Sequence, residues 1–341
     1  MTDAPWHAQL KAYPIDWLLE ESDPGVRLGA LVHLLDRPPH RTDVVAAQRA
    51  LQHSAPVQAL LADQHPGGYW GDPGNYLRWY TGTVWRWLLL LEMGLDPKHD
   101  AVQRAAHHIV DAAYHPDRHA FCSHPGHNPV LCYTGTFLWG LLRSGLADHP
   151  HVFRALDWMT LTMRYRDGDE SAPDPDNGCL GRHTCYRAVV PLLRALAVLP
   201  PRLQTQRTRT ALTDGVEFVL VHHVYKRSHD LAKPLNARLT QLTFPSIYWP
   251  DFIEVLLVLT DLGVTDPRMD DALAYLRRKQ RKDGTWKLQR LFNDRGGGRI
   301  GPCPVSFGDR GEPNKWTTLR ALTVLRRTLS SSTTHTEESA Q

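Results

Sequence analysis

The chain has 341 residues, of which 39 are basic and 36 acidic, and a formal net charge of +3. Charge this close to balance, with no basic run or basic–aromatic stripe, argues against a nucleic-acid partner. The opening Met1-Thr2-Asp3-Ala4-Pro5-Trp6 lacks the features of a secretory signal, and the most apolar run, Val84 to Leu91, is too short for a bilayer and holds Arg86, so a cytoplasmic protein with no transmembrane segment is expected.

Residues 1–13 read as an N-terminal segment. Pro14 to Glu20 predicts a short helix, and Ser22-Asp23-Pro24-Gly25 a turn. Val26 to Leu35 has helical apolar spacing and stops at Arg37-Pro38-Pro39. Asp43 to Leu61 is helical, with a break expected at Ser54-Ala55-Pro56. Tyr80 to Met93 is apolar nearly all round, which predicts burial on most faces. The same alternation then recurs. Mixed helices (Asp100–Ala113, Val152–Met163, Thr208–Val224, Met269–Arg281) lead through long loops into more apolar ones (Tyr133–Leu142, Tyr186–Leu199, Asp251–Leu262, Trp316–Leu329). Short links containing Asp96-Pro97, His149-Pro150 and Asp266-Pro267 return to the next mixed helix. About six helix pairs result, and a ring of apolar inner helices inside a ring of mixed outer helices would bury them. The expected fold is all-α, one domain over 14–329, with 330–341 a disordered polar tail.

One short pattern occurs twice where a mixed helix meets its loop. Gln64, Gly68 and Trp70 match Gln280, Gly284 and Trp286 as Gln-x-x-x-Gly-x-Trp. Glycine allows the sharp turn, tryptophan folds back on the helix it follows, and the glutamine amide reaches free backbone groups. His115…Phe121 and Arg164…Glu170 occupy equivalent places in degenerate form.

In these staples and helix pairs the chain resembles the α/α-toroid superfamily of terpene cyclases and protein prenyltransferases. It is most similar to the squalene–hopene cyclase branch and to small bacterial proteins with prenyltransferase/squalene-oxidase repeats. The resemblance covers roughly Pro14 to Leu329. It implies an α/α toroid and an isoprenoid or other apolar substrate in a central aromatic cavity. The staples are structural in the family and carry no chemistry. The family's acid motif, Asp-x-Asp-Asp, has only Asp174-Pro175-Asp176-Asn177 as a counterpart, in a polar loop; Asp-Asp-x-x-Asp is absent. Prenyltransferases of this fold hold zinc through Asp, Cys and His, a set not matched here by motif.

Candidate chemistry concentrates near the starts of the inner helices. Asp251 is the leading acid, with Asp176 the residue of the degenerate motif. Asp251 also fits an ordinary helix-start acid. Tyr80, Trp85, Tyr133, Tyr186, Trp249 and Trp316 are candidate cavity-lining, substrate-binding aromatics, whose faces stabilise cations; they also fit plain core positions. Lys315, like Arg187, is a candidate for a diphosphate or carboxylate, or else a solvated charge. Five cysteines are too few for a disulfide framework. Cys122, Cys132, Cys179 and Cys185 lie in two successive loops and offer a Zn2+ site, with His183 a possible replacement ligand; they also fit as buried small hydrophobes. Three functions match this residue set: an isoprenoid cyclase- or transferase-like enzyme, a metal-stapled binding toroid without catalysis, or a glycan-active toroid. The last requires a second carboxylate, Asp174 or Asp176, about 5–10 Å from Asp251.

Overall fold

The computed structural model describes residues 6–168, 183–293 and 303–338, with side chains to residue 329, and is built mainly of α-helices. In chain order these are α1 (Ile15–Leu18), α2 (Pro24–His33), α3 (Thr42–Gln52), α4 (Ala55–Leu61), α5 (Thr83–Glu92), α6 (Asp100–Ala112), α7 (Leu131–Arg143), α8 (Pro150–Thr162), α9 (Tyr186–Ala197), α10 (Gln206–Val221), α11 (Phe252–Asp261), α12 (Asp270–Lys279) and α13 (Lys315–Glu338). The break expected near Ser54 is present, with Ser54 the residue before α4 and Pro56 in its first turn. The last helix continues to Glu338, beyond residue 330, where a disordered tail was expected. Extending a helix that is already nucleated is far easier than starting one, so polar residues can follow its packed turns.

Three two-stranded pairings were not foreseen. They are β1 (Tyr114–His115) with β2 (Ala120–Phe121), β3 (Lys226–Arg227) with β4 (Asp230–Pro234), and β5 (Thr243–Phe244) with β6 (Arg290–Leu291). Most of these strands have two residues, too few to show an alternation in sequence.

Burial divides the helices as the apolar patterning predicts. On α5 every residue except Arg86 and Glu92 is buried, and α7 and α11 are nearly as enclosed. The helices α3, α6, α8 and α12 bury a stripe each. Inner neighbours pack in succession: α5 on α7, α7 on α9, α9 on α11, α11 on α13, and α13 on α2. A cavity of about 590 Å³ is lined by residues from all six, including Leu28, Glu92, Trp139, Arg194, Glu254 and Arg320. No helix among the described residues is long and apolar enough to cross a membrane.

Both staples form, and each joins three elements. The Trp70 indole N–H donates to the Ala62 carbonyl at 2.9 Å, and its amide donates to Thr83 Oγ1 at the start of α5. Gln64 Nε2 donates to the Ala101 carbonyl at the start of α6. In the second staple the Trp286 indole donates to the Leu276 carbonyl at 2.9 Å, and its amide to Thr318 Oγ1 on α13. No outer helix follows, and the N-terminal segment takes that place. Gln280 Nε2 donates to the Ala12 carbonyl, and Gln280 Oε1 accepts the Lys11 amide, each at 3.0 Å. Phe121 stands in for the tryptophan of the degenerate repeat; it is fully buried and its carbonyl accepts from Thr134 Oγ1 on α7.

Gly284 has φ +84°, and a Cβ there would lie 2.5 Å from the Ala12 carbonyl oxygen. Gly263 has φ +72° with open space around it. Gly263→Ala should therefore cost only the left-handed conformation, about 1–2 kcal/mol. Gly284→Ala should lose clearly more in urea unfolding and should expose the N-terminal segment to protease. Equal losses in the two variants would remove the closure role from the second staple.

Candidate functional site

Aromatic rings meet where the inner helices begin. Tyr133, on the first turn of α7, stacks on Tyr248 with centroids 5.2 Å apart and planes 13° apart. Tyr248 meets the Trp79 ring edge-on at 5.8 Å, and Trp79 stacks on Trp85 of α5 at 4.9 Å. Tyr80 leans on Trp85 and Phe292, and its hydroxyl donates to the Phe292 carbonyl. Of the expected aromatics, Tyr80, Trp85 and Tyr133 thus share one cluster. Its other members, Trp79 and Tyr248, precede their helices, where periodicity gives no signal.

Trp249 lies between two cations instead. The Arg187 guanidinium, from the first turn of α9, is 4.4 Å from its ring centre, and that of Arg238 is also 4.4 Å away. Arg187 donates to Tyr248 Oη at 3.1 Å and approaches Cys185 Sγ at 3.4 Å. Among the described residues neither guanidinium has a carboxylate partner. Both line a cavity of about 310 Å³ with Tyr186, His222, Asn236 and Trp249. Two donors on these walls are buried without a partner, the Tyr186 hydroxyl and the Trp249 indole N–H. Burial raises the Tyr186 hydroxyl pKa, so it stays a proton-bearing donor. His222 Nδ1 lies 2.9 Å from the Lys226 carbonyl oxygen, to which an Nδ1–H donates, and burial holds its pKa below the ordinary value.

The remaining predicted residues go elsewhere. Asp251 is fully buried as the residue capping α11: it accepts from the Glu254 amide at 2.8 Å and the Thr243 amide at 2.9 Å, and pairs with Arg320 at 3.4 Å. Its carboxylate is committed to these partners. Lys315 is held by Glu20 and Asp23 at 2.7 and 2.8 Å, which neutralises the charge expected to bind an anion. Trp316 stacks on Phe244 at 4.2 Å, away from Tyr133 and Tyr248 in the chain of ring contacts. Asp174, Asp176 and Cys179 lie outside the described residues.

Three of the four cysteines expected to bind zinc are described, and each lies beside another side chain. Cys132 faces Tyr248, with Sγ 3.7 Å from the hydroxyl; Cys185 faces Arg187; Cys122 is buried beside Tyr76, which raises its thiol pKa to about 11. Among the described residues they form no three-ligand group with each other or with His183. His183 Nδ1 lies 3.4 Å from Asp167 instead. Cys132 and Cys185 sit on different helix starts, each turned toward a different side chain.

A buried charge network closes the other side of α11. Arg194 pairs with Glu92 at 2.6 Å and Glu254 at 2.9 Å, and its guanidinium lies 3.7 Å from the Trp139 ring centre. Arg320 pairs with Glu254 at 2.5 Å and with Asp251. Coulombic attraction to Glu254 and Asp251 overcomes the desolvation of Arg320 and keeps it charged. Its residues are far apart in sequence, and among them Asp251 was the candidate acid.

The sequence matches no family model and no curated protein.

Arg320→Met would leave Asp251 and Glu254 short of their shared cation. A loss of about 3–5 kcal/mol is expected in urea unfolding. Arg143, exposed at the rim of the larger cavity, serves as the comparison: Arg143→Met should stay within about 0.5 kcal/mol. Similar small losses for both would show that the network contributes nothing net.

Proposed function

We propose that the chain is an α/α toroid of the terpene cyclase and prenyltransferase type that binds an amphiphilic anion, a prenyl diphosphate or a ligand of that shape. Ring closure is supported by the cavity that six helices share and by the second staple, which bonds the end of the last repeat to residues 11 and 12. The observation that carries the ligand class is the pair Arg187 and Arg238 against the Trp249 ring, which among the described residues have no carboxylate partner and lie beside two donors without partners. Guanidinium groups match phosphate oxygens with parallel hydrogen bonds. The Tyr186 hydroxyl and Trp249 indole N–H supply further donors. Tyr248, which accepts from Arg187, connects this head-group cavity to the aromatic cluster, where an isoprenoid tail would lie on ring faces.

The reading is one of binding. Proton-initiated cyclisation requires an acid free to donate, and Asp251 is engaged by two amides and Arg320. A glycan-active site would need Asp251 to face an open groove, which its full burial opposes.

Tryptophan fluorescence titration tests this. Farnesyl diphosphate should bind saturably and more tightly than inorganic pyrophosphate or farnesol alone. Arg187→Ala and Arg238→Ala should each weaken binding about ten-fold or more, since a charge-assisted hydrogen bond contributes about 1.5–3 kcal/mol. Absence of saturable binding, or folded variants that bind as the wild type does, would refute it.

A further inference from the structure

Where α6 ends and α8 begins, a different set of side chains converges. Asp111, His149 and His151 each bring a ligand atom within 4.8 Å of the others. Such grouping alone is common on surfaces, but one of these rings is held in a particular way. The His151 imidazole stacks face to face on Tyr114, with centroids 3.7 Å apart and planes 6° apart. Its Nδ1 lies 3.2 Å from the Val110 carbonyl oxygen, to which an Nδ1–H donates. That hydrogen bond selects the tautomer with a bare lone pair on Nε2; Nδ1 is also the ring nitrogen 3.9 Å from Asp111 Oδ1, so the exposed carboxylate has to turn to meet Nε2 at a common ion. A backbone carbonyl on one ring nitrogen and a metal on the other is the usual arrangement of a histidine ligand.

The neighbours complete a donor set. His149, the residue capping α8, has its Nδ1 3.3 Å from the His151 amide, a long hydrogen bond that a stronger partner can replace. The Asp111 carboxylate is 74% exposed and free to turn. Ligands about 2 Å from one ion lie at most about 4 Å apart, so a small rotation of exposed side chains closes the set. His107, one turn before Asp111, bonds the Gln103 carbonyl through Nδ1 at 2.8 Å and leaves its own Nε2 available nearby.

We propose that Asp111, His149 and His151 form a surface site for a borderline divalent cation such as Zn2+, which would tie the outer helices α6 and α8 together. Two imidazoles and one carboxylate are the donors such an ion prefers, and water fills the remaining position. The site is independent of the Arg187 cavity and of the cysteines.

The test uses the full chain, stripped with a chelator and titrated with ZnCl2 by calorimetry. One saturable site is expected, weakened at least about ten-fold in His151→Asn and in Asp111→Asn, because loss of one ligand removes a large share of the affinity. A Cys132→Ser/Cys185→Ser double variant should bind as the wild type does. Zn2+ should also raise the melting temperature of the wild type and leave that of His151→Asn unchanged, a comparison made on each folded protein against itself. No saturable binding to the wild type, an equal melting shift in His151→Asn, or binding that follows the cysteines would each overturn the proposal.

Discussion

A helix pair cannot bury both of its faces alone, so this fold depends on what pins each pair to the next. The tryptophan staple does so with directional bonds. Trp286 is fully buried, yet its indole N–H reaches the Leu276 carbonyl and its amide reaches Thr318. One residue thereby satisfies a free carbonyl near the end of α12 and fixes where α13 starts. Gln280 extends the same joint to Lys11 and Ala12, which are more than 250 positions away in sequence. At Trp70 the third partner is the following outer helix; at Trp286 it is the beginning of the chain. The same local pattern thus bonds to the next helix at Trp70 and to residues 11 and 12 at Trp286.

The buried ion network makes a different demand. Arg194 and Arg320 are enclosed among carboxylates that belong to α5, to α11 and to the residue capping α11. Burying guanidinium groups is unfavourable unless every charge finds a partner, so the helices bearing them must stand in one relative position. Asp251 is central because its oxygens serve at once as helix cap and ion-pair partner. A residue so fully engaged orders the start of α11, Phe252 to Asp261, and that order in turn sets Tyr248 and Trp249 in the loop just before it.

Helix positions, the division into enclosed and half-enclosed helices, and both staples were readable in the chain because each depends on residues within a turn or two. The threonines that bond the staple residues were not singled out, although Thr83 and Thr318, which accept the tryptophan amides, and Thr134, which donates to the Phe121 carbonyl, recur near the starts of apolar helices. Candidate charges were harder. Lys315 and Arg187 look alike in sequence, each beside an aromatic residue at a helix start. Lys315 is met by Glu20 and Asp23 from the other end of the chain, whereas Arg187 is met by rings. Partner identity is a tertiary property, and local sequence holds no trace of it. Matching repeat positions put Cys132 and Cys185 at neighbouring helix starts, and their sulfurs meet Tyr248 and Arg187, two side chains hydrogen-bonded to each other.

The contrast between these two kinds of cation has a physical consequence for ligand binding. A guanidinium paired with a carboxylate uses its in-plane N–H groups, and an incoming anion would have to displace a charged partner. A guanidinium lying on an aromatic ring uses its face and keeps its edge. Arg187 and Arg238 share the Trp249 ring, and the in-plane groups of Arg187 donate to the Tyr248 hydroxyl and the Cys185 sulfur, so among the described residues an incoming anion would displace no carboxylate. Arg194 combines both, with Trp139 on its face and Glu92 and Glu254 on its edge, and has nothing left to offer. Binding capacity in this fold therefore follows from which side of each guanidinium the fold has already used, and on that measure the cavity beside Trp249 is better equipped for an anion than the larger one between the six helices.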